Sequence, residues 1–299
     1  MDVDSSEAVA VIKLAAAIAI LGYASISDLR TRRASNWFWI ALSAIGVAMI
    51  PVTVAVEDMS MSYLLILIPI LAVLSDVFWD AESSSALARS APFIKYGLAI
   101  VATAALGVAW GDEGDFQSLL IVPIVMLLII LLYMLDVIRG GADAKALISI
   151  SIVFPSYPVV ASMPLITSES EVLQTVVPFT FSVLVNAALL VVFLPLAFLL
   201  INLIRRDLLF PQMFLGYRTD GRDALRRHVW LMERIVDGKR VLYSRPKTEE
   251  DLRREIDLLK DHGHLRIWVT PKIPFIVPIF ISLILTALIG NPFFLLFGF

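Results

Sequence analysis

The sequence predicts an all-α polytopic membrane protein, with about eight transmembrane helices and a small cytoplasmic α+β domain. The chain is 59% hydrophobic and only 17% charged, whereas soluble domains carry about 25% charged residues. Its apolar residues recur in runs of about 20, the length that spans a bilayer as a helix. Composition and run length therefore exclude an ordinary soluble globular protein.

Eight apolar runs fit a transmembrane helix. They are 8–27, 37–56, 62–79, 93–110, 117–137, 143–166, 175–203 and 273–290. The first run is not expected to be a cleaved signal peptide, because acidic residues precede it and its far end reads Asp28-Leu29-Arg30 rather than small residues. We therefore expect a transmembrane bundle at 1–204, a basic cytoplasmic domain at 205–271 and a final transmembrane helix at 272–299.

Charges in the loops predict how the helices are oriented. The N-terminus and three loops hold ten acidic residues and no Lys or Arg: Asp2, Asp4, Glu7, Glu57, Asp58, Asp112, Glu113, Asp115, Glu169 and Glu171. The alternate loops carry Lys and Arg, which favour the cytoplasmic side. The N-terminus is therefore expected outside. This orientation puts Asp28 and Asp143 at the cytoplasmic ends of their helices, where the two can meet.

The segment that follows Arg205 is predicted to be a soluble domain. Fifteen Lys and Arg, against eleven Asp and Glu, lie between Arg205 and Arg266. Residues 248–251 read as the cap of an amphipathic helix, and residues 264–270 alternate like a strand. We interpret the basic excess as attraction to membrane lipid headgroups, and we expect no nucleic-acid partner.

The absence of cysteine limits the possible chemistry. With no Cys in the chain, there is no disulfide framework, no CxxC zinc site and no thiol nucleophile. The three histidines all fall in the soluble segment and are interpreted as surface residues. No metal site is therefore predicted.

Two aspartates in apolar surroundings are the candidate catalytic groups. Asp28 lies in 25-SISDLRTRRASNWFW-39 and Asp143 lies in 140-GGADAK-145. Each carboxylate alone is compatible with a simple ion pair to a neighbouring Arg. Two carboxylates that share a site cannot both ionise easily, so one keeps its proton while the other polarises a water, as in an aspartic protease. Gly140 and Gly141 are expected to adopt positive φ and to allow close approach of a substrate.

These two stretches resemble the catalytic motifs of the type IV prepilin peptidases and the archaeal preflagellin (prearchaellin) peptidases, which are GxGD-type membrane aspartic proteases. On this resemblance Asp28 and Asp143 match the catalytic aspartates, and Lys145 matches the lysine of the second motif. Gly140 matches its first glycine, whereas Ala142 stands at its second. Arg30 and Arg33 are expected to support the first motif. The stretches 214–218 and 266–279 also resemble archaeal members.

The resemblance implies a membrane aspartic endopeptidase. Its substrates would be prearchaellin or type IV pilin-like precursors with a short basic leader peptide, which is removed at the cytoplasmic membrane boundary. No metal or organic cofactor is expected. The cysteine-rich loop of the bifunctional bacterial members is absent, which argues against N-methyltransferase activity.

Two other functions remain open from the sequence. One is a presenilin-like protease that cuts within transmembrane helices, although Ser27 rather than Tyr precedes Asp28 and basic residues follow at once. The other is a proton-coupled transporter, which predicts carboxylates near the middle of the bilayer and symmetric broken helices.

Other polar side chains within the spans are interpreted as structural. Asn186 is expected to form a hydrogen bond between helices. Asp76 and Asp136 are expected to pair with basic residues such as Arg139, and Lys13 is expected to line the bundle or to reach the interface.

Overall fold

The structure, a computed structural model, describes residues 5–78, 86–166, 177–242, 252–292 and 294. The chain divides into two compact units, a helical unit (residues 1–188 and 274–299) and a mixed unit (residues 189–273). The acidic residues Asp2, Asp4, Glu169 and Glu171 lie outside the described residues, as do the capping residues at 248–251.

The helical unit is built from α-helices with one short 3-10 segment. The helices are α1 (Ser5–Thr31), α2 (Asn36–Val56), α3 (Leu67–Phe78, preceded by a 3-10 helix at Met61–Ile66), α4 (Ala86–Trp110), α5 (Gly114–Met134), α6 (Gly141–Val153), α7 (Phe179–Val192) and α12 (Ile276–Ile289). In the described part of the chain, six helical segments are long and apolar enough to cross a membrane: 5–31, 36–56, 61–78, 91–110, 114–134 and 179–205. The predicted class of polytopic helical membrane protein is therefore confirmed.

Two of the predicted spans are not continuous helices. The sixth, expected at 143–166, ends at Val153, because Pro155 and Pro158 follow and cannot donate backbone hydrogen bonds. The seventh, expected at 175–203, is divided at Phe193 into α7 and α8 (Leu194–Arg205), with Pro195 in the first turn of the second helix. The sixth prediction was therefore wrong in length, whereas the seventh apolar run still forms one membrane-length helical segment, at 179–205.

Close packing of α2 against α6 forms the centre of the helical unit. A Cβ atom on Gly46 would lie 2.8 Å from Ile152 Cγ2 and 2.9 Å from the Val153 backbone nitrogen, so only glycine permits this approach. The hydroxyls of Ser43 and Ser149 lie 2.9 Å apart, with both side chains buried. This contact fixes the position of α6, and therefore of its first turn.

Buried hydrogen bonds join α7 to α12. The Asn186 amide donates to Thr286 Oγ1 at 2.9 Å, and the Ser282 hydroxyl donates to the Val183 carbonyl oxygen at 2.6 Å. The prediction of an interhelical hydrogen bond from Asn186 is therefore confirmed.

The mixed unit combines short helices with two small sheets. After α8 come α9 (Gln212–Leu215), β1 (Tyr217–Asp220), α10 (Gly221–Arg226), β2 (Val229–Leu231), β3 (Glu233–Val236), β4 (Lys239–Leu242), α11 (Leu252–Asp261) and β5 (Arg266–Pro271). The antiparallel sheet has the order β1-β5-β2, and β3 pairs with β4. The predicted amphipathic helix and the predicted strand are confirmed as α11 and β5.

Buried carboxylates with specific partners stabilise the mixed unit. Asp207 accepts a hydrogen bond from Arg266 at 2.7 Å and lies 3.7 Å from an Arg218 nitrogen. Glu233 is fully buried, where it pairs with Arg240 and accepts the Trp268 backbone N–H at 3.1 Å. Several of the basic residues are therefore structural partners of buried acids, and the excess of basic residues is not wholly a surface charge.

Candidate active site

Asp28 lies in the last turn of α1, where the chain turns sharply into α2. The helix ends because Arg32 adopts a φ of 57°, while its N–H still bonds to the Asp28 carbonyl oxygen at 2.9 Å. The Ser27 hydroxyl donates to the Arg33 carbonyl oxygen at 3.2 Å, and Ser35 caps α2. The turn that carries Asp28 is therefore held on both sides by local hydrogen bonds.

Asp143 lies in the first turn of α6, and Gly140 is the N-cap of this helix. A Cβ atom built on Gly140 would lie 2.0 Å from Asp143 Oδ2, so the carboxyl group folds back into the space that a larger residue would occupy. Gly140 has a φ of −92°, and the φ of Gly141 is not positive either. The expectation of positive φ was wrong, and at Gly140 the requirement is space for the Asp143 side chain.

The structure brings Asp28 and Asp143 together at the same end of the helical unit. Helices α1 and α6 pack against each other, and the charge of Asp28 acts on the Asp143 carboxyl group. Both side chains are only partly exposed. This end of the unit therefore presents two neighbouring carboxyl groups, one from each of the two predicted motifs.

A direct hydrogen bond joins the two motifs. Lys145 Nζ donates to Asn36 Oδ1 at 3.0 Å, and it also lies 5.8 Å from the centre of the Phe78 ring at the end of α3. Asn36 follows the cap of α2, and Lys145 is in the same first turns of α6 as Asp143. This bond holds the turn after Asp28 against the start of the helix that carries Asp143.

The remaining predicted site residues have different surroundings. Arg30 and Arg33 are exposed, and within the described residues neither guanidinium has a side-chain hydrogen bond or ion pair. Ala142 is half-buried against the apolar core, and Gly141 lies beside the Tyr133 hydroxyl. The structure thus places Gly140 and Lys145 in contact with the candidate site and leaves Arg30 and Arg33 at its surface.

Three residues of this region were not singled out from the sequence. Arg32 is the basic residue that acts on the Asp28 charge, and its Nε is buried without a hydrogen-bond partner among the described residues. Asn36 and Phe78 contact Lys145. A spacing of four residues, which puts two side chains on one face of a predicted helix, is the sequence signal for the proximity of Arg32 to Asp28. Nothing in the sequence alone indicates that Phe78 reaches Lys145.

Asp76 and Asp136 are not part of the Asp28–Asp143 pair. Asp76 lies 3.5 Å from Lys95 Nζ and also accepts a hydrogen bond from Tyr96. Its pairing with a basic residue was predicted, but the partner is Lys95 rather than Arg139. Asp136 is exposed, with a φ of 57°. Across the described ranges no group of three or more His, Asp or Glu is arranged to hold a metal ion.

Comparison with known proteins finds similarity to archaeal peptidases. Residues 209–291 match a family model described as the archaeal peptidase A24 C-terminus, type II. The chain is also 32% identical over 162 residues to the preflagellin peptidase of Methanocaldococcus jannaschii, a stretch that covers 51% of this chain and 63% of that protein.

Two further relatives agree with this result. The preflagellin peptidase of Methanococcus maripaludis is 29% identical to the chain over 160 residues, and that of Methanococcus voltae is 29% identical over 161 residues. Each match covers 51% of the chain and 64% of the relative. The matched stretch is therefore somewhat under two thirds of each relative's length. Taken with the paired aspartates, these matches show that the chain is similar to the archaeal preflagellin peptidases over about half of its length, and that its C-terminal part resembles the archaeal peptidase A24 C-terminus.

Proposed function

We propose that this protein is a membrane aspartic endopeptidase that removes the short basic leader peptide from prearchaellin or type IV pilin-like precursors. The observation that carries the proposal is the meeting of Asp28 and Asp143 at one end of the helical unit, with Lys145 bonded to Asn36 between their motifs. Preflagellin peptidases among the relatives support the substrate class. No step of this proposal needs a metal ion or an organic cofactor.

The reaction requires one ionised and one protonated carboxyl group. We assign the ionised role to Asp28, which has the Arg32 guanidinium nearby, and the protonated role to Asp143, which lies beside the Asp28 charge. Asp28 then takes a proton from a water, the water oxygen attacks the scissile carbonyl carbon, and Asp143 donates its proton to the carbonyl oxygen. Collapse of the tetrahedral intermediate breaks the C–N bond, with a proton returned to the leaving nitrogen.

Lys145 is proposed to be a positioning residue. Its ammonium group donates a hydrogen bond to Asn36 and lies over the Phe78 ring. These two contacts fix the α1–α2 turn, the end of α3 and the start of α6 relative to one another. A misplacement of about 1 Å in such a site can lower the rate about a hundredfold. The precursor would approach this end with its basic leader in the aqueous phase and its apolar helix in the membrane.

The alternatives are less well supported. The matches are to preflagellin peptidases and to an archaeal peptidase A24 family model rather than to presenilin-like proteases or transporters. Asp28 and Asp143 lie at helix ends, whereas proton carriers in transporters lie near the middle of the bilayer.

The first prediction concerns the two carboxyl groups. Asp28→Asn and Asp143→Asn each remove a titratable group and keep the size of the side chain, so we expect each to lower kcat by about a thousandfold or more. Cleavage of a purified prearchaellin precursor in detergent measures this effect, and thermal unfolding checks the fold. Asp136→Asn, at an exposed position in the same region, serves as the control and is expected to cleave normally. Processing at the parental rate by either Asp28→Asn or Asp143→Asn would contradict the mechanism.

The second prediction compares two adjacent glycines. In Gly140→Ala the new Cβ would lie 2.0 Å from Asp143 Oδ2, so the carboxyl group must move. In Gly141→Ala the nearest atom is the Tyr133 hydroxyl oxygen at 3.4 Å, an ordinary contact. We expect Gly140→Ala to lower kcat by about tenfold or more and Gly141→Ala to change it by about twofold or less. Equal losses in the two variants would show that Asp143 is not held as described.

The third prediction concerns orientation. We propose a multi-pass protein of the cell membrane with its N-terminus outside and its active site at the cytoplasmic face, since the loops at that end are basic. Ser35 and Ser60 are both exposed, at opposite ends of α2, and the chain has no native cysteine. A membrane-impermeant thiol reagent should label Ser60→Cys in intact cells and Ser35→Cys only after the membrane is opened. The reverse pattern would refute the orientation.

A further inference from the structure

We propose that Phe78 is a positioning residue of the candidate active site, and that a polar cluster between α3 and α4 holds its ring against Lys145. The proposal rests on the proposed function, because Phe78 acts on the reaction only through Lys145. This α3–α4 cluster consists of Ser75, Asp76, Lys95 and Tyr96. Two helices that lie outside both sequence motifs thereby become part of the scaffold that places the two aspartates.

The aromatic ring of Phe78 restricts the ammonium group of Lys145. The Lys145 Nζ atom lies 5.8 Å from the centre of the ring, within the range of about 6 Å over which a cation is attracted to an aromatic face. The same Nζ donates a hydrogen bond to Asn36 Oδ1 at 3.0 Å. Because a lysine side chain is long and flexible, one hydrogen bond leaves it several conformations. The ring favours the conformation that reaches Asn36.

The α3–α4 cluster fixes the last turn of α3, which carries Phe78. Lys95 Nζ donates to the Ser75 carbonyl oxygen at 3.1 Å and lies 3.5 Å from one carboxylate oxygen of Asp76. The Tyr96 hydroxyl donates to the other oxygen of the same carboxylate. The Lys95 and Asp76 side chains are both partly buried, so water and salt weaken their attraction less than at an open surface. Two adjacent residues of α4 therefore hold one turn of α3.

The spacing of Asp76 and Phe78 makes this turn a bridge between two helices. Side chains two residues apart on an α-helix do not share a face. Asp76 contacts α4 through the cluster, whereas Phe78 contacts Lys145 at the start of α6. Any rotation of the last turn of α3 would therefore disturb the cluster and the ring contact together.

An ordinary packing role for Phe78 makes a different prediction. If the ring only fills space, loss of the ring and loss of the Lys145 ammonium group should slow cleavage independently, and the two effects should add. If the ring acts through Lys145, its loss should have little effect once the ammonium group is gone, because coupled residues give non-additive effects. The two roles are therefore separable by a double-variant comparison.

The reactivity of the Lys145 amine tests the contact without using peptide cleavage. An amine-acylating reagent is added to the purified protein, and labelling of Lys145 is followed by mass spectrometry, with the exposed Lys239 as internal reference. We expect Phe78→Leu and Lys95→Met each to speed labelling of Lys145 by about threefold or more, because the ring no longer holds the ammonium group. Phe78→Tyr, which keeps an aromatic face, should label like the parent.

The kinetics of prearchaellin cleavage test the positioning role. We expect Phe78→Leu to lower kcat by about tenfold and to change KM by about twofold or less, since the ring does not touch substrate. Phe78→Tyr should keep at least about half of the parental kcat. The double variant Phe78→Leu/Lys145→Met should cleave within about twofold of the rate of Lys145→Met alone. Phe93→Leu, the same change at a side chain on α4 that is 74% exposed, is the matched control and should behave like the parent.

Each outcome supports or overturns the proposal. Unchanged labelling of Lys145 in Phe78→Leu would overturn the contact, and faster labelling with a parental kcat would overturn the positioning role. Fully additive losses in the double variant would leave Phe78 with packing alone. If Lys145→Met does not fold, equal kcat values for Phe78→Leu and Phe78→Tyr would refute the requirement for a ring.

Failure of the peptidase proposal would be seen separately. A parent protein that cleaves no prearchaellin would contradict the proposed function, whereas amine labelling would still decide whether Phe78 and the α3–α4 cluster hold Lys145.

Discussion

The rest of the structure depends on holding two carboxyl groups side by side at the end of a helical bundle. Two ionised carboxylates in such a place repel each other and lose part of their hydration, which is unfavourable unless neighbouring groups compensate. The compensation here is local. Arg32 offsets the charge of Asp28, the Asp143 carboxyl occupies the space left by Gly140, and Lys145 holds the two motifs together through Asn36.

The helical scaffold makes this arrangement possible because α6 lies deep in the unit. Gly46 allows the α2 backbone to approach Ile152 and Val153 closely, and the paired hydroxyls of Ser43 and Ser149 satisfy each other within that contact. Helix α6 is too short to span a bilayer alone, at 13 residues or about 20 Å. Its burial by longer neighbours explains how so short a helix can carry a polar first turn at one end of the unit.

The sequence predicted the parts of this account that depend on composition and on paired signals. Apolar run length located the first five helices, with Asn36–Val56 expected at 37–56, although α4 (Ala86–Trp110) begins seven residues before the expected start at 93. Loop charge put Asp28 and Asp143 at the same end. The prediction failed where prolines end a helix within a long apolar run, as at Pro155 after α6. The Lys145–Asn36 bond joins residues far apart in sequence, and no local pattern encodes such a contact.

The distance between positions 28 and 143 is the most direct test of the central claim. In the naturally cysteine-free chain, the double variant Asp28→Cys/Asp143→Cys should be joined rapidly and within one molecule by a short bifunctional thiol reagent. Asp58→Cys/Asp143→Cys, whose two positions lie at opposite ends of the helical unit, is the matched control and should not react in this way. A folded double variant at positions 28 and 143 that forms no more cross-link than the control would contradict the account of a shared two-aspartate site.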